Sequence, residues 1–228
     1  MKEIFASPFF GLAITIISFF VFSKFAKKVK SPLANPILLS VSFIMLFLHL
    51  FAIPLEDYDK GGQIINMFLS PVMAVLAFSI YREIHILKKY FLAIVIGCFT
   101  GSLVSVASAI MLSHLFGLSD VLAHTMAPKS VTTPIAVELS AHLGGLPPIT
   151  VAAVIITGIM GAMFAPWAIK FFKVKDPVAA GVAIGTCSHG VGTSKAFELG
   201  ELEGATSGIA IGVAGMMTVG LVMAVKFL

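Results

Sequence analysis

Residues 126–139, MAPKSVTTPIAVEL, decide the fold, because a lysine and a glutamate stand inside sequence that is otherwise apolar enough for a membrane interior. Pro128 and Pro134 remove two amide donors and disfavour helix just before them, so this segment is expected to be broken rather than one continuous transmembrane helix. Non-helical backbone at membrane depth persists only where protein buries it or where it lines a watery cavity, which makes the break a candidate solute site. Further along, residues 188–199 read SHGVGTSKAFEL. Laid over residues 128–139 at an offset of 60, they match at Val191, Thr193, Ala196, Glu198 and Leu199. Upstream, Ala93, Ile96 and Gly101 fall on Ala153, Ile156 and Gly161 at the same offset. The repeat unit therefore reads as one membrane helix followed by one interrupted segment, present twice.

The composition agrees with a membrane setting. The 228 residues are 58% hydrophobic and 11% charged, with a mean hydropathy of +1.04, outside the range of soluble globular chains. Charge-free runs at 4–23, 31–55, 61–81, 90–119, 139–169 and 204–225 mostly reach the roughly 20 residues that cross a bilayer as helix. They lack the alternation of a membrane β-barrel. The net charge of +4 comes from short basic clusters between apolar runs, a topology signal and not a nucleic-acid footprint. Cys98 and Cys187 lie in apolar segments without metal or redox spacing. Lys2 is the single basic residue before the first apolar run, which lacks a convincing cleavage site, so a retained first helix is expected.

Lysine placement orients the runs. The first, about 8–22, ends in Lys24, Lys27, Lys28 and Lys30, which belong on the inner side. The second opens at Asn35 and Pro36 and ends near Pro54, before an expected outer loop carrying Glu56, Asp57 and Asp59. The third, 64–81, contains Ser70 and Pro71, which are expected to kink it, and exits at Arg82, Lys88 and Lys89, inside again. The fourth, about 91–116, carries Gly97 and Gly101 at the spacing that lets helices approach closely, and ends outside. Residues 149–167 lead to Lys170, Lys173 and Lys175 and so start outside. Residues 121–143 must then dip in from outside and return. By the same parity 177–201 dips in from inside, leaving 204–225 as the last crossing. The expectation is a single all-α polytopic membrane domain spanning 1–228: N-terminal helices 1–81, repeat units 91–143 and 149–201, and a last helix 204–226. It has about six transmembrane helices and two re-entrant hairpins in an inverted repeat of period 60, with Gly145 outside and Glu201 inside. Inverted repeats recur in secondary transporters, whose sites lie at the midplane.

The first hairpin offers Lys129, Ser130, Thr132 and Thr133. A lysine near a helix end usually snorkels to the interface. Here the neighbouring hydroxyls, and a penalty of roughly 2.5 to 3.5 kcal/mol for a charge at helix centre, argue instead for a partner, either a carboxylate ligand or Glu138. The half-helix that starts beside them presents free amides and a positive dipole end, an anion site in itself. The second hairpin offers Ser188, His189, Gly190, Gly192 and Thr193, a glycine-loosened turn with hydroxyls. Glu138 and Glu198 occupy equivalent repeat positions. They read either as structural partners of Lys129 and Lys195 or as proton- or cation-coupling carboxylates, and both readings stay open. Ser188 beside His189 is not a hydrolase pair, since adjacent residues rarely align and no GxSxG elbow is present, so no enzyme is expected. The remaining histidines share no ligand spacing, so neither metal nor cofactor is expected.

The stretches PKSVTTPIA (128–136) and SHGVGT (188–193), with LSPVMAVLAFSIY (69–81), GGLPPIT (144–150), TGIMGA (157–162) and GATSGIAIG (204–212), resemble the LrgB/CidB family of bacterial membrane proteins. That resemblance implies a multi-pass protein of the bacterial inner, cytoplasmic, membrane. It offers two functions. One is a holin-like or antiholin-like modulator of murein hydrolase export and autolysis, working beside a small LrgA/CidA-type membrane protein. The other is transport of small carboxylates, since relatives include the membrane half of the plastid glycolate/glycerate translocator and bacterial pyruvate-uptake systems. A homodimer in the lipid bilayer, with a small carboxylate as substrate and no nucleic acid, completes the expectation.

Overall fold

The computed structural model describes residues 5–29 and 36–226, and everything in regular structure among them is α-helix. The expectations placed on Lys2, Lys30 and Asn35 lie outside the described residues. Helices α1 (Pro8–Val29), α2 (Pro36–Leu50), α3 (Leu55–Asn66), α4 (Leu69–Arg82), α5 (Ile84–Lys89) and α6 (Phe91–Leu115) are followed by α7 (Asp120–Met126), α8 (Thr133–His142), α9 (Pro147–Phe171), α10 (Pro177–Leu199) and α11 (Glu201–Lys226). Among the described residues four helices, α1, α6, α9 and α11, are long and apolar enough to cross a membrane, and α2 is a shorter apolar helix. This is an all-α integral membrane protein. Contacts divide it into two compact units, residues 1–72 and 73–228.

In the first unit α1 and α3 touch backbone to backbone at Gly11 and Gly61, where a Cβ on Gly61 would fall 2.7 Å from the Gly11 carbonyl carbon. Ile44, Leu48 and Ile53 form its core with Phe10, Ile14, Phe47 and Tyr58 packed around them, and the Thr15 and Tyr58 hydroxyls lie 3.0 Å apart. Here the structure corrects the expected third run. The acidic residues 56–59 are not a loop but the first turns of α3, and the helical chain breaks at Met67 and Phe68 before α4 begins. Glu56 and Asp57 in the first turn favour the positive helix end, and Asp57–Lys60 (2.7 Å) and Asp59–Gln63 (3.2 Å) lie three and four residues apart on one face.

The second unit holds both repeats. Asp176 caps α10 by accepting the Ala179 amide at 2.9 Å, with Pro177 in the first turn. At His189 (φ 41°, ψ −140°) the helix breaks into two arms, 177–188 and 190–199. Packing fixes their directions. Gly97 and Gly101 of α6 meet Val182 and Thr186, so α6 and the first arm run the same way. Cys98 and Ser102 donate to the carbonyls of Ala210 and Ala214, so α11 runs that way too. On the second arm Thr193 meets Ser207 while Phe197 meets Gly204, which makes it antiparallel to α11. The second segment is therefore a hairpin, out and back.

The first segment is also a hairpin, with its tip at residues 127–132. On its outgoing arm Ile135 packs on Gly215 and Leu139 packs with Val222, so α8 runs parallel to α11. Along α9, Thr150 meets Ser140 and Val154 meets Ala136, so α9 runs antiparallel to α8 and hence to α6 and α11. The two repeats are thus inverted, as expected. One hairpin fills the half of the unit beside the C-terminal parts of α6 and α11, and the other fills the half beside their N-terminal parts.

Candidate functional site

The two hairpin tips meet on the middle of α9. Val154 is fully buried against Val131 and Ala136 of the first hairpin, and its carbonyl accepts from His189 Nε2 of the second at 3.0 Å, which requires the proton on Nε2. Close approach there depends on two glycines of α9. A Cβ on Gly158 would fall 2.7 Å from His189 Cε1, and one on Gly161 would fall 2.6 Å from the Ser188 Cβ. His189 itself adopts a positive φ that non-glycine residues rarely take, a strain of about 1 to 3 kcal/mol held by its surroundings.

In the first tip Thr132 is the N-cap of α8 with extended backbone, and Pro134 follows in the first turn. Its side chain does not cap the helix. The Thr132 hydroxyl is buried, the residue only 9% exposed, and has no hydrogen-bond partner among the described residues. Such an orphan costs about 1 to 3 kcal/mol. Ser130 Oγ lies 2.6 Å from Ser105 Oγ on α6, and Lys129 Nζ lies 3.4 Å from Ser130 Oγ. Lys129 is half-buried and, among the described residues, no carboxylate pairs with it. It lies within electrostatic reach of Cys187 on the second hairpin. In the second tip Thr193 donates to the His189 carbonyl at 2.9 Å and its hydroxyl lies 2.8 Å from that of Ser207. Ser188, His189, Gly192 and Thr193 are buried and Gly190 is exposed.

The site residues expected from sequence thus gather at the two tips, while the two acids do not join them. Glu138 is exposed on α8, and Glu198 is exposed and pairs with Lys195 at 2.6 Å. Three polar groups have no counterpart in the sequence reading: Ser105, Ser207, and a buried trio in which the Thr150 hydroxyl lies 2.6 Å from Ser140 Oγ and 3.0 Å from the Thr125 carbonyl oxygen. The signal for them was hydroxyls on otherwise apolar spans, which mark internal partners in a membrane protein. Chemically, two half-helix N-termini, one cation and an unpartnered hydroxyl suit a small anion.

Irregular backbone of this kind is kept in a membrane protein only where protein buries it or where it lines a watery cavity. The chain matches the LrgB-like family over residues 15–227, and it belongs to that family. It is similar to the antiholin-like protein LrgB of Bacillus mycoides (strain KBAB4), with 33% identity over 93% of each chain. It is also similar to the uncharacterized protein YwbG of Bacillus subtilis (strain 168), with 32% identity over 91% of this chain and 92% of that one. No solved structure matches it.

Proposed function

We propose that this protein is a secondary transporter of small monocarboxylates or hydroxycarboxylates, of the size of pyruvate, glycolate or glycerate, working by alternating access. The observation that carries the reading is the meeting of two oppositely inserted hairpin tips on mid-α9, with Lys129 unpaired by any described acid and the Thr132 hydroxyl unpartnered. A carboxylate there would take the Lys129 ammonium, the first-turn amides of α8 and the Thr132 hydroxyl. Ser188, Gly190, Gly192 and Thr193 would line the opposite wall. Glu138 and Glu198 are the candidate coupling carboxylates, tested by driving uptake with an imposed pH gradient in Glu138→Gln and Glu198→Gln. The protein works as no enzyme and sits, as a homodimer, in the bacterial inner membrane. The names of its relatives favour a second reading, an antiholin-like modulator of murein hydrolase export and autolysis beside a small LrgA/CidA-type partner. One experiment separates the two: purified protein in liposomes should take up a two- or three-carbon acid saturably and selectively. Non-selective leakage of a trapped dye, without saturable uptake, would favour the second reading.

A further inference from the structure

Between α6 and the first arm of α10 lies a cavity of about 460 Å³, within the range of small-molecule sites. Tyr90 and Asp176 stand at one end, and Thr100, Gly101, Thr186 and Cys187 at the other. Because α6 and the first arm run parallel, the Tyr90–Asp176 end is the one beside the exposed lysines Lys88, Lys89, Lys173 and Lys175, whose field would concentrate anions at the mouth. The far end abuts the hairpin crossing. Cys187 is exposed, immediately precedes Ser188 at the tip, and lies within electrostatic reach of Lys129 of the opposite hairpin. We infer that this groove is a water-filled access path from the lysine-rich side to the hairpin tips, through which a small carboxylate reaches Lys129. The inference rests on the carrier reading for the identity of the anion, but not for the path.

The test uses the wild-type chain in sealed vesicles of both orientations, treated with a membrane-impermeant sulfonated maleimide, with the labelled residue mapped by peptide mass. Cys98 is buried and serves as the internal unlabelled reference. Labelling of Cys187 in vesicles that present the lysine-rich face, and not in those of opposite orientation, is the expected result. Pyruvate, glycolate or glycerate near ten times Kd should then slow it about tenfold, and in Lys129→Ala, measured against that variant's own acid-free labelling rate, the protection should be lost. Sided labelling with no protection by any acid supports the path and counts against the carboxylate reading. If only the membrane-permeant N-ethylmaleimide reaches Cys187, lipid or a second copy fills the groove and the inference is overturned. As a further arm, Ala183→Trp in the groove's wall should block labelling. Unchanged labelling in that variant would also count against the path.

Discussion

Thr132 carries a buried hydroxyl that has no hydrogen-bond partner among the described residues. Replacing it by valine keeps the shape and removes the orphan, so Thr132→Val should raise the stability of the ligand-free protein by about 1 kcal/mol while weakening anion binding. Thermal unfolding in detergent, with and without a small carboxylate, reads both effects. A loss of stability in the ligand-free variant would mean that the hydroxyl already has a partner. Lys129→Ala removes a charge-assisted contact worth roughly 1.5 to 3 kcal/mol, so affinity should fall about ten- to a hundredfold. Wild-type uptake kinetics in a well-folded Lys129→Ala protein would show that the lysine does not hold the substrate. At this scale the site was half legible. Lys129 and its hydroxyl run stood out because charge and hydroxyls are conspicuous in apolar sequence. Ser105 did not, because its pairing with Ser130 is set by how α6 packs and not by any local pattern. The bend in the second hairpin is legible as a glycine-loosened turn, but the residue that carries it is not. Gly190 beside it is the natural bearer of a positive φ, yet the turn falls on the histidine, whose ring bonds the Val154 carbonyl.

At the scale of elements, the second hairpin sits close on α9 because Gly158 and Gly161 carry no side chains where its tip crosses. Gly161→Ala would drive a methyl into Ser188 and should cost about 1 to 3 kcal/mol, the usual penalty of overpacking. Gly220→Ala on α11 meets nothing within 4 Å among the described residues, so it should instead stabilise by about 0.5 to 1 kcal/mol through reduced backbone entropy. Thermal melts of the two variants side by side check the sign of each. Destabilisation by both would mean that loss of helix packing in general, not the tip contact, controls the effect. The helices themselves were largely readable: α6, α9 and α11 coincide with long charge-free runs closed by lysines or prolines. The misread element is α3. There the acidic cluster reads as a loop, yet acids in a first turn with partners three and four residues on favour a helix start.

For the whole molecule, lysine parity anticipated the inverted repeat, because loop charge reports sidedness independently of packing. The contacts reach the same arrangement by a separate route, through the run directions of α6, α8, α9 and α11 against the two arms of α10. The division into units at 72/73 was not visible in the sequence, since α4 (Leu69–Arg82) runs across it as one apolar stretch. Everything proposed about function rests on the hairpins entering from opposite faces, and sided labelling of single cysteines tests that claim most directly. Gly145 is a poor position for one, as its Cβ would fall 2.6 Å from Ser140 Oγ, whereas Leu146 and Glu201 are exposed. With Cys98 and Cys187 replaced by serine, an impermeant thiol reagent on intact cells should label Leu146→Cys and spare Glu201→Cys, and inverted vesicles should give the reverse. Labelling of both positions from the same face would contradict the inverted repeat and remove the basis for a shared site at the hairpin tips.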